Sequence, residues 1–498
     1  MTKLNKKLIF YIIGMLLVFN GGAMIISSFV SILFDDGVFK EVAFSAIFLI
    51  IIGWLIMTFS KNNIRQINKR DGYIIVTIGW LTMVFSGMLP YYLTGSINSF
   101  SNLFFETMSG YTTTGSTILN DVEALPKSII FWRSMTHWLG GMGIIVLAIA
   151  ILPLLGIGGM QLFSAEAPGI SSDKIHPRIS DTAKRLWIIY VGLTFTETIL
   201  LKIAGMSFFD AINNSMSNIA SGGFSSRNES IGYWNDIPLI QYIIILFMFL
   251  AGTNFVLIYF GITGKIKKII QDTEFKWYLS LISSFAIMVT ITLYFSVDLS
   301  ATGVDHPQVY GKFESSFRHA LFQVVAIITT TGFVTGDFIS WGPFLTMFFF
   351  GIMFLGGSSG STSGGVKVLR HLILVKNGFL EFKRSLHPNA IFPLRHNNSV
   401  VEKPIIIHVL AFFILYLILF IVGAGVLSLL GLDFVSAIGG AASSIGNVGP
   451  ALGTLGPISN FDSLPELGKY WCSFLMLIGR LELFTVLILF TPFFWRDH

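Results

Sequence analysis

The sequence predicts an all-α integral membrane protein. Three observations lead to this fold class: a very apolar composition, ten apolar segments of membrane-spanning length, and a fourfold internal repeat. Of the 498 residues, 53% are hydrophobic, only 12% are charged, and 48 are phenylalanine. The core of a soluble protein of this size would not use so many apolar side chains, so most of them must lie within a bilayer.

Ten segments are long enough to cross a bilayer, whose hydrocarbon core of about 30 Å needs about 20 apolar residues per helix. We place the spans near 7–33, 39–60, 73–95, 129–152, 184–205, 239–262, 276–297, 343–371, 404–430 and 471–493. The N-terminal lysines and the apolar run after them are typical of a signal peptide, but no convincing cleavage site follows. We therefore expect a retained first helix.

The charges indicate orientation. The formal net charge is +5, but the basic residues are scattered through short loops and form no face of the kind that binds nucleic acid. Alternate loops, including 61–70, 265–268 and 376–403, hold most of the basic residues, whereas the opposite loops lean acidic. By the positive-inside rule, both termini should lie in the cytoplasm. The single cysteine, Cys472, excludes an intramolecular disulfide.

Four units of the chain repeat one pattern after two N-terminal helices (1–70). The units are 71–160, 161–264, 265–375 and 376–498, and we number them 1 to 4. In each, a span is followed by a short helical segment, a polar turn that contains glycine, and a second span. The turns are TTTGST (112–117), SGGFSS (221–226), TTTGFVTG (329–336) and SSIGNVG (443–449). Aligned on Gly115, Gly223, Gly332 and Gly446, they recur at intervals of 108, 109 and 114 residues, as in an internal repeat.

The short segments before these turns, 99–111, 207–220, 317–328 and 432–443, cannot cross a bilayer. Ser207 and Asp433 are expected to cap two of them at their N-termini. Because irregular backbone at membrane depth survives only inside protein or beside a water-filled path, we expect four re-entrant turns that meet on one axis. Glycine permits φ > 0, so each turn can direct carbonyl oxygens inward and replace the hydration shell of a monovalent cation. The C-termini of the short helices would add partial negative charge.

At these residues the chain resembles the Trk/Ktr/HKT superfamily of potassium transporters, in particular its bacterial TrkH/TrkG pore-forming subunits. The resemblance covers nearly the whole chain, including the two extra N-terminal helices. It implies a pseudo-fourfold pore for K⁺ in the bacterial inner membrane, with K⁺ as the permeant ion and no organic cofactor. In this superfamily, glycine at all four aligned positions implies a preference for K⁺, whereas serine at the first accompanies Na⁺ transport.

The resemblance also implies which residues contact the ion. They are the four aligned glycines and the two residues before each: Thr113, Thr114 and Gly115; Ser221, Gly222 and Gly223; Thr330, Thr331 and Gly332; and Ser444, Ile445 and Gly446. The second and fourth turns depart from the threonine-rich pattern of the other two.

Span eight contains the run Gly356, Gly357, Ser358, Ser359, Gly360, Ser361, Thr362, Ser363, Gly364 and Gly365. Each glycine costs a helix about 1 kcal/mol, so the helix should break there. The resemblance implies that this loop is a gate below the filter, together with Arg480 of span ten. The alternatives are close helix packing for the loop and a structural role for the arginine. At mid-bilayer, Arg480 should face the interior and find carbonyls, water or Glu482.

Four other ionisable residues lie in or beside membrane segments: Glu106, Glu197, His137 and His319. We favour a capping or packing role for each. Because Glu106 or Glu197 can also carry a proton, a cation-coupled K⁺ symporter with alternating access remains an alternative to a channel-like conduit. Only one span is clearly broken, which disfavours rocking. No convergent hydrolytic residues are evident, so we expect no enzyme.

Regulation must come from another chain, because no linker here can hold a nucleotide-binding domain. The resemblance implies a cytosolic ring of TrkA-type nucleotide-binding subunits that docks on loops 152–183 and 372–403 and on the C-terminal tail. It also implies a homodimer in which each chain has its own pore.

Overall fold

The protein is mostly helical in this computed structural model, which describes residues 4–60, 69–155, 179–297, 306–397 and 399–495. Most of the basic loop 61–70, including Lys61 and Arg65, and most of loop 152–183 lie outside these ranges. The helices are Lys6–Phe34, Phe39–Ser60, Lys69–Gly87, Leu89–Leu93, Phe100–Tyr111, Lys127–Leu155, Ile179–Ile203, Phe208–Ile219, Pro238–Ala251, Phe255–Ile262, Ile266–Gln271, Thr273–Ser296, Lys312–Ile328, Pro343–Ile352, Val368–Leu386, Lys403–Leu429, Phe434–Gly446, Glu466–Arg480, Phe484–Leu487 and Pro492–Trp495.

Many of these helices are suited to a bilayer. Six described helices are long and apolar enough to cross one, and two bent helix pairs raise the number to eight. Apolar side chains remain exposed along them; Lys403–Leu429, for example, exposes Ile407, Ile414 and Ile421. Such a surface would be unstable in water but is the expected surface toward lipid. The chain is therefore a multi-pass membrane protein.

Three spans are interrupted, two more than the sequence predicts. The predicted break in span eight is confirmed, because residues 353–367 between Pro343–Ile352 and Val368–Leu386 are not helical. Span six bends by 109° between Pro238–Ala251 and Phe255–Ile262. Span ten bends by 110° after Arg480, where Glu482 and Leu483 adopt positive φ. The expectation of a single broken span is therefore wrong.

Four short helices lie among the long ones, at the predicted places: Phe100–Tyr111, Phe208–Ile219, Lys312–Ile328 and Phe434–Gly446. Both predicted caps are confirmed. The Ser207 hydroxyl accepts the N–H of Asp210 at 3.0 Å, and the Asp433 carboxylate accepts that of Ser436 at 3.2 Å. The last turns of all four helices are buried, so each delivers its C-terminal end to the interior.

Two apolar clusters hold these elements. One joins the N-terminal helices with units 1 and 4, through residues such as Met24, Trp132 and Leu475. The other joins units 2 and 3, through residues such as Ile244, Tyr278 and Phe322. The short helices of units 2 and 4 contribute to both clusters, through Met216 and Ala441 in the first and Ala211 and Ala442 in the second. Packing of the long helices therefore fixes where the four turns meet.

Candidate functional site

The four short helices end in the same way. After Phe100–Tyr111, the N–H of Thr113 donates to Gly110 O (3.0 Å) and that of Thr114 donates to Ser109 O (2.9 Å). These bonds satisfy carbonyls that a helix end leaves open. The same pair of bonds recurs in the other units: Ser221 to Asn218 and Gly222 to Ser217; Thr330 to Ile327 and Thr331 to Ala326; Asn447 to Ser444 and Val448 to Ser443.

Backbone dihedrals give the turns a second shared feature, which corrects the alignment of unit 4. In each turn, a non-glycine residue with positive φ is followed two positions later by a glycine with positive φ. The pairs are Thr113 and Gly115, Ser221 and Gly223, Thr330 and Gly332, and Asn447 and Gly449. The equivalent glycine of the fourth turn is therefore Gly449. Gly446, on which the sequence alignment rested, is the last residue of the helix Phe434–Gly446.

The assignment of Ser444 and Ile445 as ion ligands is affected by the same error in the alignment. Both lie in the last turn of the fourth short helix, and a Cβ on Gly479 of span ten would be 2.0 Å from Ile445 O. They therefore pack against span ten. The sequence does contain the correct signal, because Asn447 stands two residues before Gly449 as Thr113 stands before Gly115, and asparagine tolerates positive φ better than most residues.

Each of these four glycines touches the next turn, and together the contacts close a ring. A Cβ added to Gly115 would lie 2.2 Å from Gly222 O. The corresponding distances are 2.1 Å from Gly223 to Thr331 O, 2.1 Å from Gly332 to Val448 O, and 2.7 Å from Gly449 to Thr114 O. No side chain fits at any of the four positions. Four equivalent residues, Thr114, Gly222, Thr331 and Val448, thus each place a carbonyl oxygen against a glycine of the neighbouring turn.

The four glycines also open on one side into a shared cavity of about 190 Å³. Gly115, Gly223, Gly332 and Gly449 all line it, whereas Gly446 does not. The wall further out is polar and includes Asn120, Asn228 and Asn460. The ring of turns therefore borders a largely polar cavity on this side.

The loop 356–365 closes the opposite side of the ring. The Gly364 N–H donates to Thr330 Oγ1 at 2.6 Å, and the Thr362 and Ser221 hydroxyls are 3.0 Å apart. A Cβ on Gly364 would lie 2.8 Å from Asn447 Cβ. The loop thus contacts the residue with positive φ in three of the four turns. Its members are buried except Gly360, which is exposed, and Gly365, which is half-buried.

The break in span six holds this loop in place. The Ser358 N–H donates to Gly252 O (2.8 Å), and Gly360 O accepts from Phe255 N–H (3.1 Å). Glu274 accepts the Ser359 N–H at 2.6 Å, and the buried Lys367 ammonium donates to the Ser363 hydroxyl at 3.1 Å. The two broken spans therefore satisfy part of each other's irregular backbone within the protein, as membrane burial favours.

Arg480 reaches the same loop. Its Nη1 donates to Thr362 O at 2.9 Å, and the side chain is only 3% exposed. Among the described residues, its Nε and Nη2 atoms have no hydrogen-bond partner. Of the partners expected from the sequence, Arg480 therefore uses a carbonyl, whereas Glu482 pairs with Arg370.

The other predicted ionisable residues support the short helices. Glu197 accepts a hydrogen bond from Asn218 at 2.6 Å, and His319 Nδ1 lies 2.9 Å from the Thr335 hydroxyl. His137 Nδ1 lies 2.8 Å from the Ser217 hydroxyl. Glu106 forms a buried ion pair with Arg133 at 2.7 Å. Of the four, His137 also contacts the ring of turns, because a Cβ on Gly222 would lie 2.2 Å from its Nδ1.

Comparison with known proteins agrees with this architecture. A model of the TrkH family, described as cation transport protein, matches residues 38–496. The chain belongs to the TrkH family. It is 38% identical over 489 residues to the Trk system potassium uptake protein TrkH of Escherichia coli K12, covering 98% of each chain. It is 36% identical over 496 residues to the TrkH of Halomonas elongata, covering 99% of this chain and all of the other.

A solved TrkH structure has the same fold. The crystal structure of the potassium transporter TrkH from Vibrio parahaemolyticus superimposes with a TM-score of 0.87 at 35% identity, over 98% of this chain and 99% of the other. The resemblance predicted from the sequence is therefore confirmed. TrkH-family proteins are transport proteins and not enzymes.

The corrected alignment of the fourth turn predicts unequal effects of two similar substitutions. Gly449→Ala places a Cβ 2.7 Å from Thr114 O at a φ of 102°, a conformation that costs alanine about 1–2 kcal/mol. Gly446→Ala has ordinary helical φ, and its nearest neighbours, Val448 Cγ2 at 3.1 Å and Met353 O at 3.2 Å, need to give by only a few tenths of an ångström. We expect Gly449→Ala to lose discrimination between K⁺ and Na⁺ in vesicle flux assays and Gly446→Ala to retain it. The reverse order would restore Gly446 as the fourth glycine.

Proposed function

We propose that this chain takes up K⁺ through a pore whose selectivity filter is the ring of four glycine turns. The observation that carries the proposal is the ring itself: four glycines without room for a Cβ, each against the carbonyl of the next turn, beside one cavity. The names of the relatives, potassium uptake proteins, agree with it.

The chemistry of the turns suits a dehydrated monovalent cation. Backbone carbonyls replace the water around the ion, and the Thr113, Ser221 and Thr330 side chains add hydroxyl oxygens on the loop side. The short helices direct their C-terminal ends toward the ion, where each contributes about half a negative charge. The four turns contain no carboxylate, which favours K⁺ over a divalent ion.

We place this pore at a pseudo-fourfold axis along the membrane normal. Ten spans, two N-terminal and two in each unit, are supported by the helices and broken helices described above. The cavity side of the ring then faces outward and the loop 356–365 faces the cytoplasm, with both termini cytoplasmic, in the bacterial inner membrane. In that orientation the membrane potential drives uptake, at about 2.3 kcal/mol per charge for each 100 mV.

A coupled symporter is the second candidate. Two observations favour it: three interrupted spans, and the buried carboxylate of Glu197, whose Oε2 atom has no hydrogen-bond partner in the described part of the chain. Against it, the four turns share one cavity and one blocking loop, an arrangement that opens by local movement. Proton movement that accompanies every K⁺ in vesicles would favour the symporter.

The filter assignment predicts the effect of Gly115→Ser. A serine there has φ near 90° and a Cβ 2.2 Å from Gly222 O, so one turn must shift. We expect the wild type to prefer K⁺ to Na⁺ in reconstituted vesicles and the variant to lose much of that preference. Gly22→Ser is the matched control, because nothing lies within 4 Å of a Cβ at Gly22. Equal passage of K⁺ and Na⁺ before and after Gly115→Ser would refute the filter.

We further propose that Arg480 and the loop 356–365 form the gate. The loop covers the ring on one side, and the guanidinium adds an incompletely hydrogen-bonded positive charge beneath it. A cation leaving the ring therefore meets both a steric and an electrostatic barrier. Opening requires the loop to break its hydrogen bonds with Thr330 and Ser221. Arg480 must then either move together with the loop or lose its hydrogen bond to Thr362 O.

The gate predicts that Arg480→Ala raises basal K⁺ flux. If removal of the charge and of the Thr362 contact lowers the barrier by 1.4 kcal/mol, flux rises about tenfold. Lys202→Ala is the control, since Lys202 is exposed in the last turn of Ile179–Ile203 and lies outside the loop 356–365 and the proposed docking loops. Unchanged flux and unchanged regulation in Arg480→Ala would contradict the assignment.

Regulation by another chain is a further proposal. We propose a homodimer with one pore per chain and a cytosolic ring of TrkA-type nucleotide-binding subunits, which docks on the basic loop 372–403, on the C-terminal tail and on loop 152–183. We expect such a subunit to copurify with this protein from its own cytosol, and to be lost when Lys376, Lys383 and Arg384 are replaced by glutamate. Purification without any nucleotide-binding partner would count against the ring.

A further inference from the structure

A buried ion pair links two of the glycine turns. Glu106 lies on the short helix of unit 1 and is fully buried, and Arg133 comes from the following long helix with 3% exposure. Arg133 Nε and Glu106 Oε1 are 2.7 Å apart. The pore described above does not need this pair as an ion ligand, so its cost in desolvation calls for another explanation.

Glu106 supports its own turn. Its carboxylate accepts the N–H of Ile118 and the hydroxyl of Thr117, each at 3.0 Å. Ile118 is the third residue after Gly115. Through Glu106, the short helix of unit 1 therefore fixes the positions of Thr117 and Ile118, the residues that end the Gly115 turn.

Unit 3 offers an internal comparison. Gln323 stands nine residues before Gly332, as Glu106 stands nine before Gly115. Its Oε1 accepts the N–H of Thr335, the third residue after that glycine, at 3.4 Å. A neutral amide is thus sufficient to support a turn. The negative charge of Glu106 is needed for something else, and Arg133 is its partner.

Arg133 of unit 1 also contacts the turn of unit 2. Its Nη1 donates to Ser225 O at 3.1 Å, and its guanidinium lies 3.5 Å from the centroid of the Phe224 ring. Phe224 in turn stacks on His137 with centroids 3.9 Å apart. Ser225 and Phe224 directly follow Gly223, so one side chain holds the exit of the second turn against the first.

The same contacts lie behind the carbonyl ring. A Cβ on Gly222 would be 2.2 Å from His137 Nδ1, so the histidine fills the space behind Gly222. The oxygen of Gly222 faces Gly115, where no Cβ fits. Gly222 is thus confined between two parts of unit 1, His137 and the Gly115 turn, and Arg133 holds the residues that follow Gly223. A shift of Arg133 is therefore expected to move the Gly222 carbonyl.

We propose that Arg133, held by Glu106, is a positioning residue that sets the spacing between the turns of units 1 and 2 and thereby the discrimination between K⁺ and Na⁺. The inference rests on the proposed function, since it assigns a support to the same filter. Selectivity depends on the number and placement of the oxygens that replace water. A displaced turn in one pair of units changes that placement without blocking the pore.

The test compares K⁺, Rb⁺ and Na⁺ flux in vesicles that contain equal amounts of folded protein. Removing one charge alone leaves the other buried without a partner and threatens folding, so the main variant is Glu106→Gln with Arg133→Gln. Glutamine at 106 can still accept the Ile118 N–H, as Gln323 does for Thr335. We expect the K⁺/Na⁺ flux ratio to fall about tenfold, equivalent to about 1.4 kcal/mol of lost discrimination.

Two single variants extend the test. Phe224→Leu removes the aromatic face under the guanidinium and should lower the K⁺/Na⁺ ratio to a smaller extent. Arg133→Lys keeps the charge but loses the planar guanidinium that contacts Glu106 and Ser225 O together. It should therefore also lower the K⁺/Na⁺ flux ratio relative to the wild type. Lys127→Gln is the control, because Lys127 also joins units 1 and 2, with its ammonium 5.3 Å from the centroid of the Phe209 ring, but is not among the residues that line the cavity. Its ratio should equal that of the wild type.

The outcomes separate this inference from the filter itself. If the wild type prefers K⁺, Gly115→Ser loses that preference and the double variant keeps it, Arg133 has no positioning role. If the double variant does not fold, an unchanged ratio in Phe224→Leu overturns the inference in the same way. If the wild type shows no preference for K⁺, the proposed function fails, whatever Arg133 does.

Discussion

The structure depends on four places where a side chain cannot exist. At Gly115, Gly223, Gly332 and Gly449, the backbone of one turn meets the carbonyl of the next at a distance that excludes a Cβ. Rotation of a side chain cannot relieve such a contact, because no side chain is involved. The positions of the four short helices, and of the long helices that pack around them, are therefore constrained together.

The helices around this ring are interrupted because the turns need hydrogen-bond partners. The turns require positive φ and leave helix ends open, so the neighbouring spans must supply partners. The break in span six and the loop in span eight satisfy each other, through bonds from Ser358 to Gly252 and from Phe255 to Gly360. Two helices that would be costly to interrupt separately are stable when interrupted side by side.

Buried charged and polar groups connect the repeated units. Arg133 of unit 1, paired with Glu106, donates to Ser225 O of unit 2. Arg318 of unit 3 donates to Gln241 of unit 2, and Arg370 of unit 3 pairs with Glu482 of unit 4. In a low-dielectric interior, such groups are tolerated only with well-placed partners. Their positions therefore restrict how the units can rearrange, and the apolar contacts alone would not.

The sequence by itself determined the features that depend on composition and local preference. Apolar length predicted the spans, the period of glycine turns predicted four units, Ser207 and Asp433 predicted helix caps, and a run of glycine and serine predicted the break at 356–365. The tertiary structure alone decided the rest. Gly446 and Gly449 are both glycines in one polar stretch of sequence, and the structure distinguishes them by the positive φ of Gly449 and by its contact with Thr114 O. The bend after Arg480 contains neither glycine nor proline. It is accompanied by long-range bonds from Arg480 to Thr362 and from Arg370 to Glu482, and such partners lie too far away in the chain for a local pattern to indicate.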